Sequence, residues 1–393
     1  MGALRSIFGR RITEPNKRGS NITGLYDISS SGTYVSVDEV LKIPAVLACV
    51  RAISETVGML PFKMLNSYNG TYKTAEWRDE HRLLYDAPNE YQTADAFRQM
   101  LTADYLLAGD AFAEKEYSLA GGLMALHRIH PDRITDVFID SSGKIRYVVD
   151  GQELGRERIF HLPGPTLNGD GIRGDSLVAR ARDALGLAIG QQQYAAAYYK
   201  NGATPATILI HPKSLKDETA ARIKASFENN FRGAGKAHKF ALLEEDMKIE
   251  QVGSNAEQAQ LVEARREQVI EICRVFRMPP HLVQSLERAT FSNIEEQARE
   301  FLEYTMMPHF VRWEKNCSLQ LLQRAERPYF YWKFNADALL RGKTLDRYQA
   351  YQIAIMNGIY SPNEVRRRED ENPFEGGDAH LRPTNMEVIN GGK

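Results

Sequence analysis

Two long helical segments of similar length bracket a short unit of different character, and this arrangement constrains the fold more than any other feature. The first segment, from about 176 to 201, is rich in alanine and carries aromatic residues at its C-terminal end. The second runs from about 255 to 277, where the proline pair at 279–280 must end it. Between them, residues 202–254 combine predicted strands, a helix and a glycine-rich basic loop. Such helices can run side by side as a stalk that carries the insert away from the body.

The segments on either side of the stalk predict a mixed body of helices and short strands. The predicted helices are 37–57, 93–108, 294–323 and a C-terminal helix that begins at Ser361, and the predicted strands are 60–65, 111–117, 132–140, 144–150, 158–162 and 328–335. Gly109 should end the second of these helices. Ser361, Pro362 and Glu364 form a capping-box pattern with proline at the first helical position.

The acidic and basic side chains almost cancel. The 393 residues include 50 lysines and arginines and 51 aspartates and glutamates, for a formal net charge of -1. A protein that wraps DNA tightly usually has a clear basic excess, because the neutralised phosphates supply the affinity. Any contact with nucleic acid should therefore be local, weak or transient.

The positions of the cysteines and the lengths of the apolar runs indicate in which compartment the chain works. Cys49, Cys273 and Cys317 form no Cys-x-x-Cys pair, so neither a zinc knuckle nor a disulfide framework is indicated, and a reducing compartment is favoured. No run of 18 apolar residues predicts a membrane helix. The N-terminus is no signal peptide. Its Gly2 and Ser6 match a myristoylation pattern, although a basic, disordered arm is the favoured interpretation.

Motifs typical of enzymes fail in their context. Residues 169–174 spell Gly-x-Gly-x-x-Gly before a helix, but a Pro-Gly-Pro loop separates them from the preceding strand. Residues 339–344 end like a P-loop, yet aspartate stands where the first glycine is required. Packing or surface roles are favoured over metal binding for His127, His130 and His161, which lack acidic partners at useful spacing. We therefore predict no catalytic residue, no cofactor and no metal.

Seven segments, each weak alone, follow one another in an order that carries a family likeness. They are LPFKM (60–64), HRLLYDAPNEYQTADAFRQMLTADYLLAGDAFAE (81–114), DGIRGDS (170–176), YKNGATP (199–205), QLVEARREQVIEICRVFRMPPHLV (260–283), FSNIEEQAREF (291–301) and SPNEVRRREDENPFEGGD (361–378). Over nearly all its length, the chain resembles the portal proteins of long-tailed, siphovirus-type phages.

The resemblance implies an α+β portal fold with an α/β wing, paired long stem helices, a small β-rich clip insert and a short helical crown. The implied parts are a flexible N-terminal arm (1–34), the wing (35–176), the first stem helix (177–201), the clip (202–254), the second stem helix (255–279), a tunnel loop (280–293), a wing helix and strand (294–337), the crown (338–372) and a C-terminal tail (373–393). The crown is short for the family, which leaves its extent and the course of the arm open.

The resemblance also implies a function. Family members form a ring, usually a dodecamer, at one capsid vertex, and double-stranded DNA passes through it without sequence specificity during packaging and ejection. The implied partners are further copies of the chain, the large subunit of terminase (the packaging motor), the head-tail adaptor and the major capsid protein, with no membrane. The implied location is the portal vertex of the virion, and the host cytoplasm during assembly. The motor hydrolyses ATP in this family, which agrees with the failed P-loop.

Carboxylates recur every four residues on one face of the second stem helix, at Glu263, Glu267 and Glu271. A solvated surface face explains such a stripe about as well as a channel lining. In a ring, however, every subunit would repeat it, and within a Debye length of roughly 8 Å the carboxylates would repel phosphates and let DNA slide. The expected apolar seam of the same helix comprises Val262, Val269, Cys273 and Phe276.

Two further sets of residues take their expected roles from the resemblance. The tunnel-loop side chains that could touch phosphates are Gln284, Ser285, Arg288 and Thr290. The clip residues that could dock terminase or the adaptor are Arg232, Lys236, His238 and Lys239. A plain surface connector and a solvated basic cluster are the respective alternatives. Contacts to phosphate carry no sequence information, so no sequence specificity is expected.

Two other functions stay open at this stage. One is a non-catalytic capsid adaptor or scaffold that never contacts DNA. The other is an enzyme that binds a nucleotide at residues 169–174.

Overall fold

The computed structural model describes the chain in a series of ranges. These are residues 27–67, 73–167, 171–200, 206–210, 218–219, 221–223, 225, 248–252, 255–283, 299–336, 344–369 and 371–380. Most of the predicted N-terminal arm lies outside the described residues, as does the whole basic loop of the insert, residues 231–239.

Helices and short strands alternate along the described chain. The α-helices are α1 (Val37–Leu41), α2 (Pro44–Met59), α3 (Asp79–Tyr85), α4 (Ala94–Ala108), α5 (Leu177–Arg180), α6 (Arg182–Lys200), α7 (Asn255–Phe276), α8 (Met307–Leu321), α9 (Thr344–Met356) and α10 (Pro362–Arg368). The strands are β1 (Asp27–Ile28), β2 (Tyr34–Val35), β3 (Phe62–Asn66), β4 (Lys73–Thr74), β5 (Asp110–Tyr117), β6 (Leu123–Ile129), β7 (Ile134–Ile139), β8 (Ile145–Val149), β9 (Gln152–Gly155), β10 (Ile159–Pro163), β11 (Ala206–Ile210), β12 (Lys248–Val252) and β13 (Phe330–Phe334). None of the helices in these ranges is both long enough and apolar enough to cross a membrane.

The strands form several small antiparallel sheets. Three of these have three strands each, in the orders β13-β3-β4, β10-β5-β6 and β7-β8-β9. The pairs β1-β2 and β11-β12 complete the described set, and the second pair lies in the insert between the long helices. Residues 110–113 of β5 and 159–162 of β10 are buried without alternation, so this part of the β10-β5-β6 sheet is covered on both faces.

One large apolar core joins the helices to the first two of these sheets. Within it, Phe62 of β3 stacks on Trp332 and Phe334 of β13, with ring centroids 5.0 and 4.2 Å apart. Trp313 of α8 meets Phe62 edge-on at 6.2 Å. These rings are almost fully buried and hold the late strand β13 against the early strand β3.

Three helices predicted as continuous are interrupted, so those predictions are wrong in detail. The 37–57 segment breaks at Ile43, which is extended because Pro44 disfavours helical geometry in the preceding residue. The 176–201 segment divides at Ala181, whose φ of -97° and ψ of 19° leave the α region. The 294–323 segment is π-helical over Phe301–Met306, next to Pro308, which has no N–H to give to a regular turn.

Other predictions are confirmed. Helix α4 follows Thr93 and ends at Gly109, whose φ of 97° suits glycine. At the start of α10, the Ser361 hydroxyl accepts from the N–H of Glu364, and the Glu364 carboxylate accepts from the N–H of Ser361. The β region predicted over 110–162 is present and additionally contains β6 and β9.

A buried cation fixes the end of helix α2. The side chain of Arg98, on α4, donates to the carbonyls of Gly58 (2.5 Å), Leu60 (3.2 Å) and Leu84, and weakly to that of Val57 (3.4 Å). Burial lowers the pKa of Arg98 to about 10, so the guanidinium stays charged at neutral pH. One side chain therefore satisfies the C-terminal carbonyls that α2 and α3 cannot satisfy themselves.

A buried histidine lies beside the C-terminal part of α4. The Nδ1 atom of His309 is 2.7 Å from the Tyr105 hydroxyl and 3.5 Å from a guanidinium nitrogen of Arg312. Burial, followed by the positive charges of Arg312 and Arg277, lowers the pKa of His309 to about 3. The imidazole is therefore neutral in the folded chain, and Nδ1 accepts hydrogen bonds.

Acid should destabilise the body through His309. In the unfolded chain this imidazole takes up a proton near pH 6.5, whereas in the folded chain it stays neutral down to about pH 3. Its contribution to stability is therefore complete above about pH 6.5 and is lost at about 1.4 kcal/mol per pH unit as the pH falls toward 3. H309Q keeps an acceptor for Tyr105 but cannot titrate, so urea unfolding between about pH 6 and 4 should depend less steeply on pH.

The control for this experiment is Y105F, which removes the hydroxyl and keeps the buried imidazole. It should lower stability at every pH while retaining the pH dependence of the parent protein. Equal pH slopes for H309Q and the parent would contradict the prediction.

Candidate functional site

Helix α7 has a packed root and a projecting part. Near its C-terminal end, Ile272, Cys273 and Phe276 are buried in the large core. In its earlier turns, residues 262–267 are exposed around almost the whole circumference. Of the side chains of α7 that the structure describes, from residue 262 onward, the body holds those of the last turns.

Helix α6 has the complementary arrangement. Leu185, Ala188 and Ile189 are buried in its first half, whereas residues 192–194 are exposed. The two helices pack together, and the buried Gln268 of α7 donates to the Ala184 carbonyl of α6 at 2.8 Å. Because α6 leaves the body and α7 returns to it, their exposed halves lie at the same end.

The three predicted carboxylates of α7 lie on the face away from the core. Glu263 is exposed, and the side chains of Glu267 and Glu271 retain 58% and 45% of their accessible surface. Arg274 continues the same face and forms ion pairs with both Glu271 and Glu267, the second at 3.4 Å. The stripe is therefore acidic in its outer part and partly neutralised near the root.

The expected apolar seam is only partly present. Val269, Cys273 and Phe276 pack on the core, but Val262 is 55% exposed, so its assignment to the seam is wrong for the single chain. Val262 has the right helical angle for the seam but lies beyond the point where the body ends.

The end of α7 has an unusual backbone. Arg277 has a φ of 52°, a left-handed conformation that costs a non-glycine residue roughly 1 kcal/mol. Two hydrogen bonds flank it: the Met278 N–H donates to the Cys273 carbonyl at 2.8 Å, and the buried Thr305 hydroxyl donates to the Arg277 carbonyl at 2.5 Å. Thr305 belongs to the π-helix, so the two chain segments on either side of residues 284–298 are tied together.

Two sets of predicted site residues lie outside the residues that the structure describes. The tunnel-loop residues Gln284, Ser285, Arg288 and Thr290 lie outside the described residues. The clip residues Arg232, Lys236, His238 and Lys239 do so too. Their roles stay predictions.

Three glycines close the junction between the β region and the helices α5 and α6. Gly109 ends α4, Gly164 follows β10 and donates to the Gly109 carbonyl at 2.7 Å, and Gly174 precedes α5. A Cβ atom on Gly174 would collide with the Gly109 carbonyl oxygen. The last glycine of the Gly-x-Gly-x-x-Gly pattern thus allows backbones to pack closely.

A buried polar cluster supports this junction and was missed by the sequence analysis. Asp110 accepts a hydrogen bond from the N–H of Gly174 at 2.7 Å and lies 2.9 Å from Nε2 of His161. A carboxylate only accepts, so Nε2 donates, and Nδ1 is left to accept from the Tyr147 hydroxyl at 3.3 Å. Burial raises the pKa of Tyr147 to about 12. The sequence signal for this cluster is the acidic residue Asp110, which directly follows Gly109 at the end of α4.

The three histidines considered as metal ligands have other environments. His161 is buried in the cluster above, as the packing interpretation predicted. His127 lies near the surface, with its ring nitrogens 3.1 Å from the Tyr91 hydroxyl and 2.8 Å from Glu116. Nδ1 of His130 accepts from the N–H of Asp132 at 3.3 Å. In the described ranges, no three His, Cys, Asp or Glu side chains are grouped to hold a metal ion.

Comparison with known proteins shows which family has this architecture. A family model described as "Phage portal protein" matches residues 44–370. The chain belongs to the phage portal protein family. A probable portal protein of Streptomyces phage phiC31 is 29% identical to this portal protein over 405 residues, which cover 96% of this chain and 87% of that protein.

Solved structures agree on the fold. A portal protein of the HK97 family from Corynebacterium diphtheriae superposes with a TM-score of 0.58 at 19% identity, covering 77% of this chain and 96% of that one. A chain from the neck of a native gene transfer agent particle, computed with C12 symmetry, gives 0.55 at 22% identity, covering 84% and 91%. The expected α+β portal fold is therefore confirmed, as is the expectation of a portal protein.

Substituting Gly174 should loosen the junction between the β region and helix α5. G174A forces the Gly109 backbone to move, and overpacking of this kind costs about 1–3 kcal/mol. We expect a lower thermal midpoint in circular dichroism. The matched control is G190A within α6, where the new methyl would meet only the Thr33 hydroxyl at 3.6 Å. This control should be stabilising by roughly 0.5–1 kcal/mol. Similar thermal midpoints for the two variants would contradict the close packing of Gly174 against the Gly109 backbone.

Proposed function

We propose that this portal protein is the ring-forming subunit of a capsid-vertex channel through which double-stranded DNA is packaged and ejected. In this proposal α6 and α7 are the paired stem helices, residues 202–254 are the clip, and residues 280–293 are the tunnel loop. The other boundaries are as the family resemblance implies. The division of α6 and α7 into packed and projecting halves supports this assignment of the stem.

The surface of the stem supports a ring of identical subunits. Leu187 and Tyr194 of α6 and Val262 of α7 are 49%, 58% and 55% exposed in the single chain. In the proposed ring, a neighbouring copy of the chain would cover these apolar side chains. In a closed ring, each subunit meets one neighbour with one face and the other neighbour with a different face. The C12 symmetry of the structurally similar neck chain agrees with a dodecamer.

The exposed carboxylate stripe is the observation that carries the channel function. Core residues of α7 fix the direction of this helix, and the stripe of Glu263, Glu267 and Glu271 lies on the opposite face. Twelvefold repetition would give the bore rings of negative charge, which repel phosphates within a Debye length of roughly 8 Å. DNA could then slide without being held.

The proposed partners follow from the same arrangement. The clip end of the stem would dock the terminase large subunit during packaging and the head-tail adaptor afterwards, through Arg232, Lys236, His238 and Lys239. The wing would contact the major capsid protein. Gln284, Ser285, Arg288 and Thr290 of the tunnel loop would touch phosphates without sequence specificity. The protein would work in the virion at the portal vertex, after assembly in the host cytoplasm.

We further propose that the subunit has no catalytic site and that the motor supplies the ATP chemistry. The Gly-x-Gly-x-x-Gly pattern supports this, because the N–H of Gly174 is committed to Asp110 and its Cα lies against Gly109. A nucleotide-binding enzyme would instead show saturable binding of ATP or NAD by the purified subunit, as measured by equilibrium dialysis.

Electron microscopy of the purified full-length protein tests the ring. Class averages should show closed rings with a central opening, most of them twelvefold. A monomer or dimer under assembly conditions would contradict the proposal, because the apolar stem surfaces would then be stable without neighbours.

Reversing the charge of the stripe should impair packaging. In the triple variant E263K/E267K/E271K, lysines would form phosphate contacts that hold DNA, so the yield of genome-filled heads should fall severalfold. The measurement is the amount of nuclease-protected DNA per particle. Rings should still form, which electron microscopy checks directly.

The charge-matched control is E116K/E153K/E157K, at exposed positions of the wing strands and their turns. It should fill heads almost as well as the parent. The neutral variant E263Q/E267Q/E271Q should be intermediate, and it avoids new repulsion with Arg274. Unchanged filling in all three variants would favour an adaptor or scaffold that has no charged DNA-facing stripe.

A further inference from the structure

A short N-terminal hairpin lies against the first half of helix α6. Its strands β1 and β2 have two residues each and pair antiparallel, with Asp27 opposite Val35 and Ile28 opposite Tyr34. Both strands pack against α6, as does the helix α1 that follows them. We call residues 27–36, which comprise the hairpin and the N-cap residue of α1, the strap.

Two glycines one helical turn apart lie beneath the strap. Gly186 and Gly190 share one face of α6, at i and i+4. A Cβ atom on Gly186 would lie only 2.3 Å from the Ser29 hydroxyl oxygen and 3.4 Å from a methyl carbon of Val35. A Cβ atom on Gly190 would meet the Thr33 hydroxyl oxygen at 3.6 Å, which is an ordinary contact. The strap therefore packs closely at Gly186, because this residue has no side chain.

Hydrogen bonds fix the strap in this position. The N–H of Ser30 donates to Oδ1 of Asp183, in the first turn of α6, at 2.8 Å. Within the strap, the Ser29 hydroxyl donates to the Thr33 carbonyl at 3.0 Å and accepts from the Thr33 N–H at 3.1 Å. The side chain that touches Gly186 therefore also shapes the turn, and moving it would disturb both contacts.

The strap has little stability of its own. A two-stranded hairpin is marginally stable in water unless it packs on another surface. Of the three large apolar residues in its strands, Val35 is buried, whereas Ile28 and Tyr34 are exposed. Few buried apolar contacts are typical of segments that open locally while the rest of a protein stays folded.

We propose that residues 27–36 open and close on α6 as a unit while the core stays folded, and that the closed strap fixes α6 to the body. The structure shows the closed state. In this state Gly186 provides the space into which Ser29 packs, and the hydrogen bond from Ser30 to Asp183 holds the strap at the start of α6.

The closed strap completes a series of contacts around the root of the stem, a point that rests on the proposed function. Helix α1 packs against α2, α2 packs against α7, and α7 packs against α6. The strap and α1 join α6 to this same series, so both stem helices are held to one body. Opening of the strap would free α6 beside Leu187, whose exposed side chain a neighbouring copy would cover in the ring.

Hydrogen–deuterium exchange of the full-length protein, measured by mass spectrometry, tests the strap. In G186A the new methyl would force Ser29 away from α6, so peptides within residues 27–36 should exchange about fivefold faster or more. Peptides from α2 and α4 should exchange as in the parent protein. The matched control is G190A, on the same face of α6, in which the strap should exchange as in the parent.

A second substitution shows whether the collision itself displaces the strap. S29G removes the side-chain atoms that the new methyl would meet, so the strap of S29G/G186A should exchange no faster than that of S29G alone. If G186A fails to fold, D183A gives the same test without added bulk, because it removes the acceptor of the Ser30 N–H. Strap exchange that is unchanged in the folded variants would overturn the proposal. So would equally accelerated exchange in α2 and α4, because the strap would then not open independently.

Electron microscopy connects the strap to assembly. G186A should give fewer closed rings than the parent and G190A, because α6 would be held less firmly. Equal ring yields would overturn the part of the proposal in which the strap fixes α6 to the body. If the parent itself forms no rings, the proposed function fails, whereas the exchange experiment still decides whether the strap opens as a unit.

Discussion

The buried guanidinium of Arg98 holds several helix ends of this portal protein together. Arg98 donates to carbonyls at the ends of α2 and α3 and at the turn into β3, and the ring of Phe62 lies 6.0 Å beneath its guanidinium carbon. Helix ends buried without such donors would leave unsatisfied carbonyls, each costing about 1–3 kcal/mol. The aromatic core can form because this arginine lets α2 stop inside the body, where β3 must begin.

The stem depends on this body in turn. Among its described side chains, from residue 262 onward, helix α7 touches the body through its last turns, so a short contact sets the direction of this helix. Ile272 and Phe276 bury the apolar side of that contact, and Gln268 ties the hairpin's two helices together where they emerge. At the far edge, Thr305 fixes the carbonyl of the strained Arg277. In the proposed ring such anchoring would matter, because any rotation of the root would be magnified along the projecting helices.

Most of the helices and strands that were predicted correctly follow from local sequence signals. Gly109 ended a helix and Ser361 began one, because each acts through its own backbone or side chain. The long helix α7 followed from periodicity and the proline pair after it. Pro44 is a sequence signal for the break at Ile43. The apolar periodicity continues through this position, however, and it predicts one continuous helix. The π-helix depends on packing around Pro308 and has no comparable local signature.

The candidate site was less predictable, because its elements combine distant residues. The Glu263 stripe followed from spacing alone, whereas its partial neutralisation by Arg274 required side-chain geometry. Asp110 and His161 belong to different strands, and only the pairing of β5 with β10 brings them together. Val262 could not be assigned correctly for a different reason. Its position in the apolar pattern of α7 predicts burial, yet it is exposed in the single chain. A residue patterned for burial but exposed in one subunit is what a closed ring requires. This exposure agrees with the proposed ring, in which a neighbouring copy of the chain would cover Val262.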